Sequence, residues 1–464
     1  SARTGAPTTA LARRLAAKLD KAGVTAARRG VVVAERGTGG RLVVELGGRN
    51  ALIPASVAKV LTAAVALDWL GPGHTFDTRV SVRGEIRDGV LHGDLVVHGS
   101  GDPSIGSSSR SGPPTAVLEE LVKAVHDAGI RQVHGNLVLD DGQLDREFVH
   151  TSWSKSDRVS AYGAGSAGLN LSEGCVVVQA KGAARAGGEP RVSFPTTSGA
   201  WLAHSEVKTV AGIKHGGLSA LFATEGQRLR IKGRVPIGKP AGLRAPVPDP
   251  VQFYGGAFSK VLGRAGVRVE GKLIVALSAA ERAPGRIIGV HRTSLRDVLD
   301  PMNRDSRNVM ASTVFKVCDA RALGVGSWRN GTEAVRRMAV NRRLDPGPTK
   351  ILDGSGLSLD NRISARLLCD VLRAFDTDPL RGPALFESLP TSGKTGTLRR
   401  RMASRKLKGR VHAKTGTLND KRVRSLAGYV DGTGGKPGYV FAIVLNGRGA
   451  SHGLIDQLVQ ELAR

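Results

Sequence analysis

The sequence predicts an α+β fold: an antiparallel sheet packed against a helical cluster, interrupted by a large β-rich insertion. Three observations predict it. The chain ends in three β-branched runs and a helical one, helical periodicity dominates residues 295–375, and residues 76–285 switch to short strands punctuated by Gly and Asp. At 464 residues the chain also exceeds one ordinary core, so two or three domains are expected.

Residues 9–21 carry Leu11, Leu15 and Leu19 at i, i+4 and i+8 between basic residues, the pattern of an amphipathic helix. Residues 30–34 and 41–46 read as two strands joined by a Gly-rich turn. Pro54 suits a first helical turn, and residues 57–67 are good helix formers with few polar side chains, hence a buried helix. After Leu70-Gly71-Pro72-Gly73 come short strands at 78–83, 90–93 and 95–98, then a helix over 119–128 ended by Gly129. Residues 181–245 are glycine-rich and strand-like, and Ala245-Pro246-Val247-Pro248-Asp249-Pro250 bounds them. A helix at 252–264 and strands at 267–269 and 272–275 follow, and Ala283-Pro284-Gly285 marks the return to the first domain. Helices are expected at 295–302, 309–323, 331–341 and 364–375, strands at 411–414, 425–430 and 439–445, and a last helix at 453–462. The expected domains are therefore 1–75 with 286–464, an inserted domain of 76–180 with 246–285, and a small β-rich domain of 181–245 nested inside it.

Hydrophobic content of 41% suits globular folding, and 68 Lys+Arg against 40 Asp+Glu leave a net charge of +28. That excess fits attraction to a polyanion, or else a charge spread over the surface; the arginines are scattered, which favours the second reading. The densest group is Arg399-Arg400-Arg401 with Arg405, Lys406, Lys408 and Arg410. Aromatic content of 4% argues against base-stacking platforms, so no specific nucleic-acid partner is expected. Cys175, Cys318 and Cys369 are odd in number and lack metal-ligand spacing; buried free thiols are preferred over a Cys318–Cys369 pair, and no metal or cofactor is expected. No apolar run reaches eighteen residues, and a start at Ser1-Ala2-Arg3 suits an exported protein after signal removal or, equally, an expressed fragment.

Ser56 stands three residues before Lys59 in Ile53-Pro54-Ala55-Ser56-Val57-Ala58-Lys59. On a helix those positions share a face. A serine alcohol needs an adjacent base, and a lysine in an apolar helix loses pKa by desolvation, so the pair is a candidate nucleophile and base. Alone the pattern is weak, since a capping serine beside a solvated lysine gives the same letters. Ser306-Arg307-Asn308 and Lys414-Thr415-Gly416-Thr417 strengthen it, because S-x-x-K, S-D-N and K-T-G together form one signature in β-lactamases and penicillin-binding proteins. A second K-T-G-T string, Lys394–Thr397, follows turn-forming Pro390-Thr391-Ser392-Gly393 and reads as a loop; the edge strand is assigned to Lys414.

The first two motifs lie 250 positions apart, a gap that resembles class C low-molecular-mass penicillin-binding proteins, the D-alanyl-D-alanine carboxypeptidases/endopeptidases with a large insertion after the S-x-x-K helix. The resemblance covers most of the chain. It continues through Gly93-Asp94-Leu95 with Gly99-Ser100-Gly101-Asp102-Pro103, through Tyr162-Gly163-Ala164 and Gly168-Leu169-Asn170, through Asp353-Gly354-Ser355-Gly356-Leu357-Ser358 with Asn361-Arg362-Ile363-Ser364, and through Ser425-Leu426-Ala427-Gly428-Tyr429-Val430. Arg307 departs from the family's S-D-N, and Ala311-Ser312 from its Ala-Glu.

The resemblance implies a penicillin-sensitive serine DD-peptidase of the penicillin-binding/β-lactamase-like fold. Ser56 would attack the penultimate D-alanine carbonyl of a peptidoglycan stem peptide, Lys59 take its proton, and Ser306 relay a proton to the leaving amine. Asn308 would hold the substrate amide and Lys59; Lys414, Thr415 and Thr417 the terminal carboxylate; the N–H groups of Ser56 and Thr417 the oxyanion. Gly416 would leave room for a substrate strand along the edge. β-Lactams would acylate Ser56. The alternatives are a β-lactamase, for which no second base or water site can be placed, and a silent basic scaffold gripping anionic wall or membrane surfaces. A periplasmic or other extracytoplasmic location follows from the resemblance. Asp140, Asp141, Asp145 and Glu147 form a local acidic group that reads as a solvated turn or as a pocket for a stem-peptide amine.

Overall fold

The computed structural model describes residues 9–463 except 110, 196–201, 224–227, 279, 284 and 436. The opening Ser1-Ala2-Arg3 and Pro284 lie outside the described residues. Contacts divide the chain into two compact units, one of residues 1–74, 294–323 and 327–464, the other of 75–293 and 324–326.

The first unit is built on a five-stranded antiparallel sheet in the order Val411–Leu418, Val423–Val430, Tyr439–Leu445, Arg29–Glu35, Leu42–Leu46. Strand alternation sorts its side chains. Val31, Val33, Leu426, Phe441 and Ile443 join Leu15 and Leu19 of helix Ala10–Lys21 and Ile455 and Leu458 of helix His452–Leu462 in one core. Thr9 caps the first of these helices, its hydroxyl accepting from the Ala12 N–H at 3.0 Å. Helix Ala365–Asp376 packs on the central strands, and helix Ala58–Trp69 is surrounded by it and by helices Asn308–Leu323 and Gly331–Asn341. All ten residues from 58 to 67 are buried, as an apolar helix without a polar face requires. The α+β class read from the sequence is the one observed, and the expected helices and strands of this unit fall within a few residues of their places. Helix Gly382–Ser388 has no periodic signal and was not expected.

The second unit carries a seven-stranded mixed sheet. Its hairpin of Thr75–Arg87 and Val90–His98 has Gln132–Val133 and Leu137–Asp140 running parallel beside its second strand. The hairpin replaces three expected short strands. Gly84 and Gly93 face each other in register, and a Cβ on Gly93 would sit 1.8 Å from the Arg83 carbonyl oxygen, so these glycines mark close backbone approach rather than breaks. Residues 286–293, expected in the first domain, form strand Arg286–Ser294 on the edge of this sheet, and the first unit resumes at 294. The proline-rich boundary is partly a helix start: Asp249 accepts from the N–H groups of Val251 and Gln252, with Pro250 leading helix Pro250–Arg264. Two small three-stranded sheets lie between residues 175 and 246, where a nested β-rich domain over 181–245 was expected, and contacts group them with the rest of this unit.

Cys175, Cys318 and Cys369 are free and buried, and burial pushes the Cys175 and Cys318 thiols up to about 12, which makes them poor nucleophiles. Among the described residues no helix is long and apolar enough to cross a membrane.

Candidate active site

Ser56 lies in a 3-10 turn, Ala55–Val57, that leads into helix Ala58–Trp69, so the α-helix starts one residue after the expected 57. Ala55 just before it has φ 52°, a left-handed conformation that costs an alanine about 1–3 kcal/mol and persists only where its surroundings hold it. They do. Gly356 approaches so closely that a Cβ there would lie 2.0 Å from the Ala55 carbonyl oxygen.

Lys59 Nζ sits 3.0 Å from Ser56 Oγ, 2.7 Å from Asn308 Oδ1 and 2.7 Å from the Ser355 carbonyl oxygen. Two of these partners can only accept, so a neutral amine would donate to both and turn its lone pair to the Ser56 hydroxyl. Electrostatics agree with that state. Complete burial pushes Lys59 down to about 7, against a smaller opposing pull from Asp353.

Ser306 and Asn308 come from the junction between helix Leu295–Arg304 and helix Asn308–Leu323. Ser306 has φ 62°, and this one left-handed residue lets the motif present two side chains to two different lysines. Asn308 reaches Lys59, whereas the Ser306 hydroxyl accepts from Lys414 Nζ at 2.9 Å. Arg307 stands between them without disturbing either contact.

Lys414 is buried on Val411–Leu418, the edge strand of the five-stranded sheet, and also donates to its neighbour's carbonyl, Thr415 O, at 2.9 Å. Burial first, then the charge of Lys59, holds Lys414 well below the ordinary lysine range, with Asp305 opposing. Lys394 of the other K-T-G-T string is exposed in a loop. Gly416 has a packing reason beside the expected one. A Cβ there would meet Ser425 Oγ at 2.1 Å, the Pro54 carbonyl oxygen at 2.9 Å and the Ser56 nitrogen at 3.1 Å, so glycine is required by the protein's own seam between strand and nucleophile. Ser425 Oγ donates to that Pro54 carbonyl at 2.6 Å, tying the sheet to the turn that carries Ser56.

All eight expected site residues therefore lie on three converging elements of one unit. Others were missed. The Ser355 carbonyl belongs to a loop fixed by buried Asp353, which accepts from the N–H groups of Gly356 and Ser358 and from Asn361 Nδ2. Thr62 Oγ1 donates to the Gly354 carbonyl oxygen at 2.7 Å, docking the loop on the nucleophile helix. The motif letters of that loop were visible, but a backbone carbonyl carries no letter of its own. Thr397 accepts from the Thr415 hydroxyl at 2.8 Å, and His452 Nε2 lies 2.9 Å from Thr417 Oγ1.

A family model described as the D-Ala-D-Ala carboxypeptidase 3 (S13) family matches residues 11–464. The chain belongs to this family. It is accordingly a serine-type D-Ala-D-Ala carboxypeptidase with the penicillin-binding fold that the ordered motifs led us to expect. It is 30% identical over 465 residues to a D-alanyl-D-alanine carboxypeptidase of Actinomadura sp. (strain R39), covering 96% of this chain and 82% of that one. It is 26% identical over 420 residues to the D-alanyl-D-alanine carboxypeptidase DacB of Haemophilus influenzae, with 88% and 83% covered. The crystal structure of penicillin binding protein 4 (dacB) from Haemophilus influenzae superimposes with a TM-score of 0.81 at 23% identity, over 97% of this chain and 98% of that one.

In the second unit, the acidic group is engaged by the protein itself. Asp140 accepts from the Gly142 N–H and lies 2.9 Å from His98 Nδ1, while Asp141 is buried beside Arg146, 3.0 Å away, and pushed up to about 6 by that burial. Arg146 also bridges to Asp249.

Proposed function

We propose that Ser56 forms the acyl-enzyme and Lys59 is its general base. One observation carries the assignment: the buried Lys59 amine faces the Ser56 hydroxyl at 3.0 Å while Asn308 and the Ser355 carbonyl fix its other side. In acylation Ser56 Oγ bonds to the penultimate D-alanine carbonyl carbon as its proton passes to Lys59. The oxyanion falls between the N–H groups of Ser56 and Thr417. The C–N bond then breaks, and the departing D-alanine amine takes a proton through Ser306, which Lys414 resupplies along their 2.9 Å contact. Lys59 passes its proton on through solvent to restore Lys414; neutral again, it takes a proton from the water that attacks the ester and returns it to Ser56 Oγ as the acyl C–O bond breaks.

Lys414, Thr415 and Thr417 receive the terminal carboxylate. An arriving carboxylate favours the ammonium form of Lys414 and so offsets the cost that burial puts on that charge. Asn308 orients Lys59 and the substrate amide. A β-lactam follows the same first step: its ring C–N bond breaks, but the amine stays tethered and the ester persists. A cross-link is the same D-alanine amide with a larger amine, so endopeptidase action belongs to the same proposal. The substrate places the enzyme outside the cytoplasmic membrane; a periplasmic site and a peripheral hold on anionic surfaces through the +28 charge are our further reading.

Because Lys59 must be neutral to accept a proton, and its pKa lies at about 7, acylation should rise with pH through that value and level off above it. Rates of fluorescent-penicillin acylation across pH 5–9 check this (on the order of a tenfold rise per unit below the pKa). A rate that is flat, or falls as pH rises through neutrality, would remove Lys59 from the role.

A further inference from the structure

Between Glu387 and Asp420 the chain holds nine Lys and Arg residues and no acidic one. The loop in this stretch that precedes the edge strand is firmly built. Leu398, Met402 and Leu407 are buried in the core of the first unit, Ser392 Oγ donates to the Leu407 carbonyl oxygen at 2.6 Å, and the Ser392 and Ala413 N–H groups bond across to the edge strand and back. The apolar anchors point inward and leave Arg399, Arg400, Arg405, Lys406 and Lys408 exposed. Arg401 instead pairs with Asp456 at 2.6 Å, and Arg410 donates to backbone carbonyls at Lys406 and Asp431. None of those five cations, nor exposed Lys394 earlier in the loop, has an acidic partner among the described residues. The loop also touches the site directly, since Thr397 accepts from Thr415 at 2.8 Å.

We infer that this basic loop is a docking surface for the polymeric form of the substrate: a peptidoglycan strand whose neighbouring, uncut stem peptides carry free carboxylates. The inference rests on the proposed function above. The loop leads into the edge strand that would hold the peptide's carboxylate and touches that strand at Thr415, within reach of a polymer bound there. An isolated exposed pair contributes little, but five unneutralised cations fixed on one rigid loop sum to a field that favours a polyanion and that salt screens. Carboxylates spaced along a strand complement that field; a short soluble peptide whose only carboxylate is the terminal one, held at Lys414, gains little from the loop.

The test is a variant carrying R399Q, R400Q, R405Q, K406Q and K408Q in the full chain. Penicillin acylation and hydrolysis of a soluble D-Ala-D-Ala peptide should stay within about twofold of wild type, which also reports that the protein is folded. KM on purified polymeric peptidoglycan should rise about tenfold, and its dependence on added salt should flatten. Unchanged KM and salt dependence on the polymer overturn the docking surface. So does binding to anionic lipid vesicles or nucleic acid that the variant loses while its action on the wall polymer is intact. Wild-type protein that fails to acylate with penicillin would instead remove the proposed function itself.

Discussion

Replacing Lys59 by Met is expected to slow acylation of Ser56 by about a thousandfold while the protein stays folded, since a positioned general base contributes on the order of 10²–10⁴. Methionine keeps the length and apolar stem of lysine, so the tightly packed helix of residues 58–67 needs no rearrangement. The change leaves Asn308 Oδ1 and the Ser355 carbonyl without their donor, about 1–3 kcal/mol for each buried acceptor. It also removes a buried amine whose desolvation opposes folding, so the two effects offset in part. Stopped-flow acylation beside a thermal melt separates chemistry from stability. A variant that acylates within tenfold of wild type would show that another group takes the proton.

Lys414→Ala should lower acylation and peptide hydrolysis on the order of a hundredfold or more, because it deletes both the cation for the terminal carboxylate and the donor at Ser306. Lys394→Ala should stay within about twofold, as an exposed lysine with no ion pair among the described residues usually does. Steady-state kinetics on one soluble peptide compare the two directly. A larger loss at Lys394 would mean that the first K-T-G-T string, not the second, serves the site.

What could be read from the letters was whatever repeats along a local period or sits in a short ordered motif. Leu11, Leu15 and Leu19 predict a helix because 3.6 residues per turn stacks them, and the edge strand shows in the alternation around Lys414. Ser56 and Lys59 were legible for the same reason, three positions apart on one helical face. What stayed hidden depends on long-range approach. Gly84, Gly93 and Gly416 look like ordinary breakers or flexible points, yet each is glycine because another backbone or side chain occupies the place of a Cβ. Gly416 carries a second constraint that the letters hide: Ser425 and the Pro54 carbonyl press on it, and no pattern could reveal the Pro54 contact across some 360 residues of chain. The Ser355 carbonyl was invisible as a ligand of Lys59 because any residue supplies one. Strand Arg286–Ser294 was lost because a boundary was placed on Pro and Gly, which mark turns without saying which domain they leave.

The nucleophile assignment is tested most directly by locating the adduct. Wild-type protein is incubated with a β-lactam, digested, and its peptides sequenced by mass spectrometry, beside a Ser56→Ala variant treated the same way. Ser56 as nucleophile predicts one acylated peptide, modified at Ser56, no adduct in the variant, and a melting temperature within a few degrees because the hydroxyl's one hydrogen bond, to Lys59, contributes only about 1 kcal/mol. An adduct at any other serine, or the same labelling in Ser56→Ala, would contradict it.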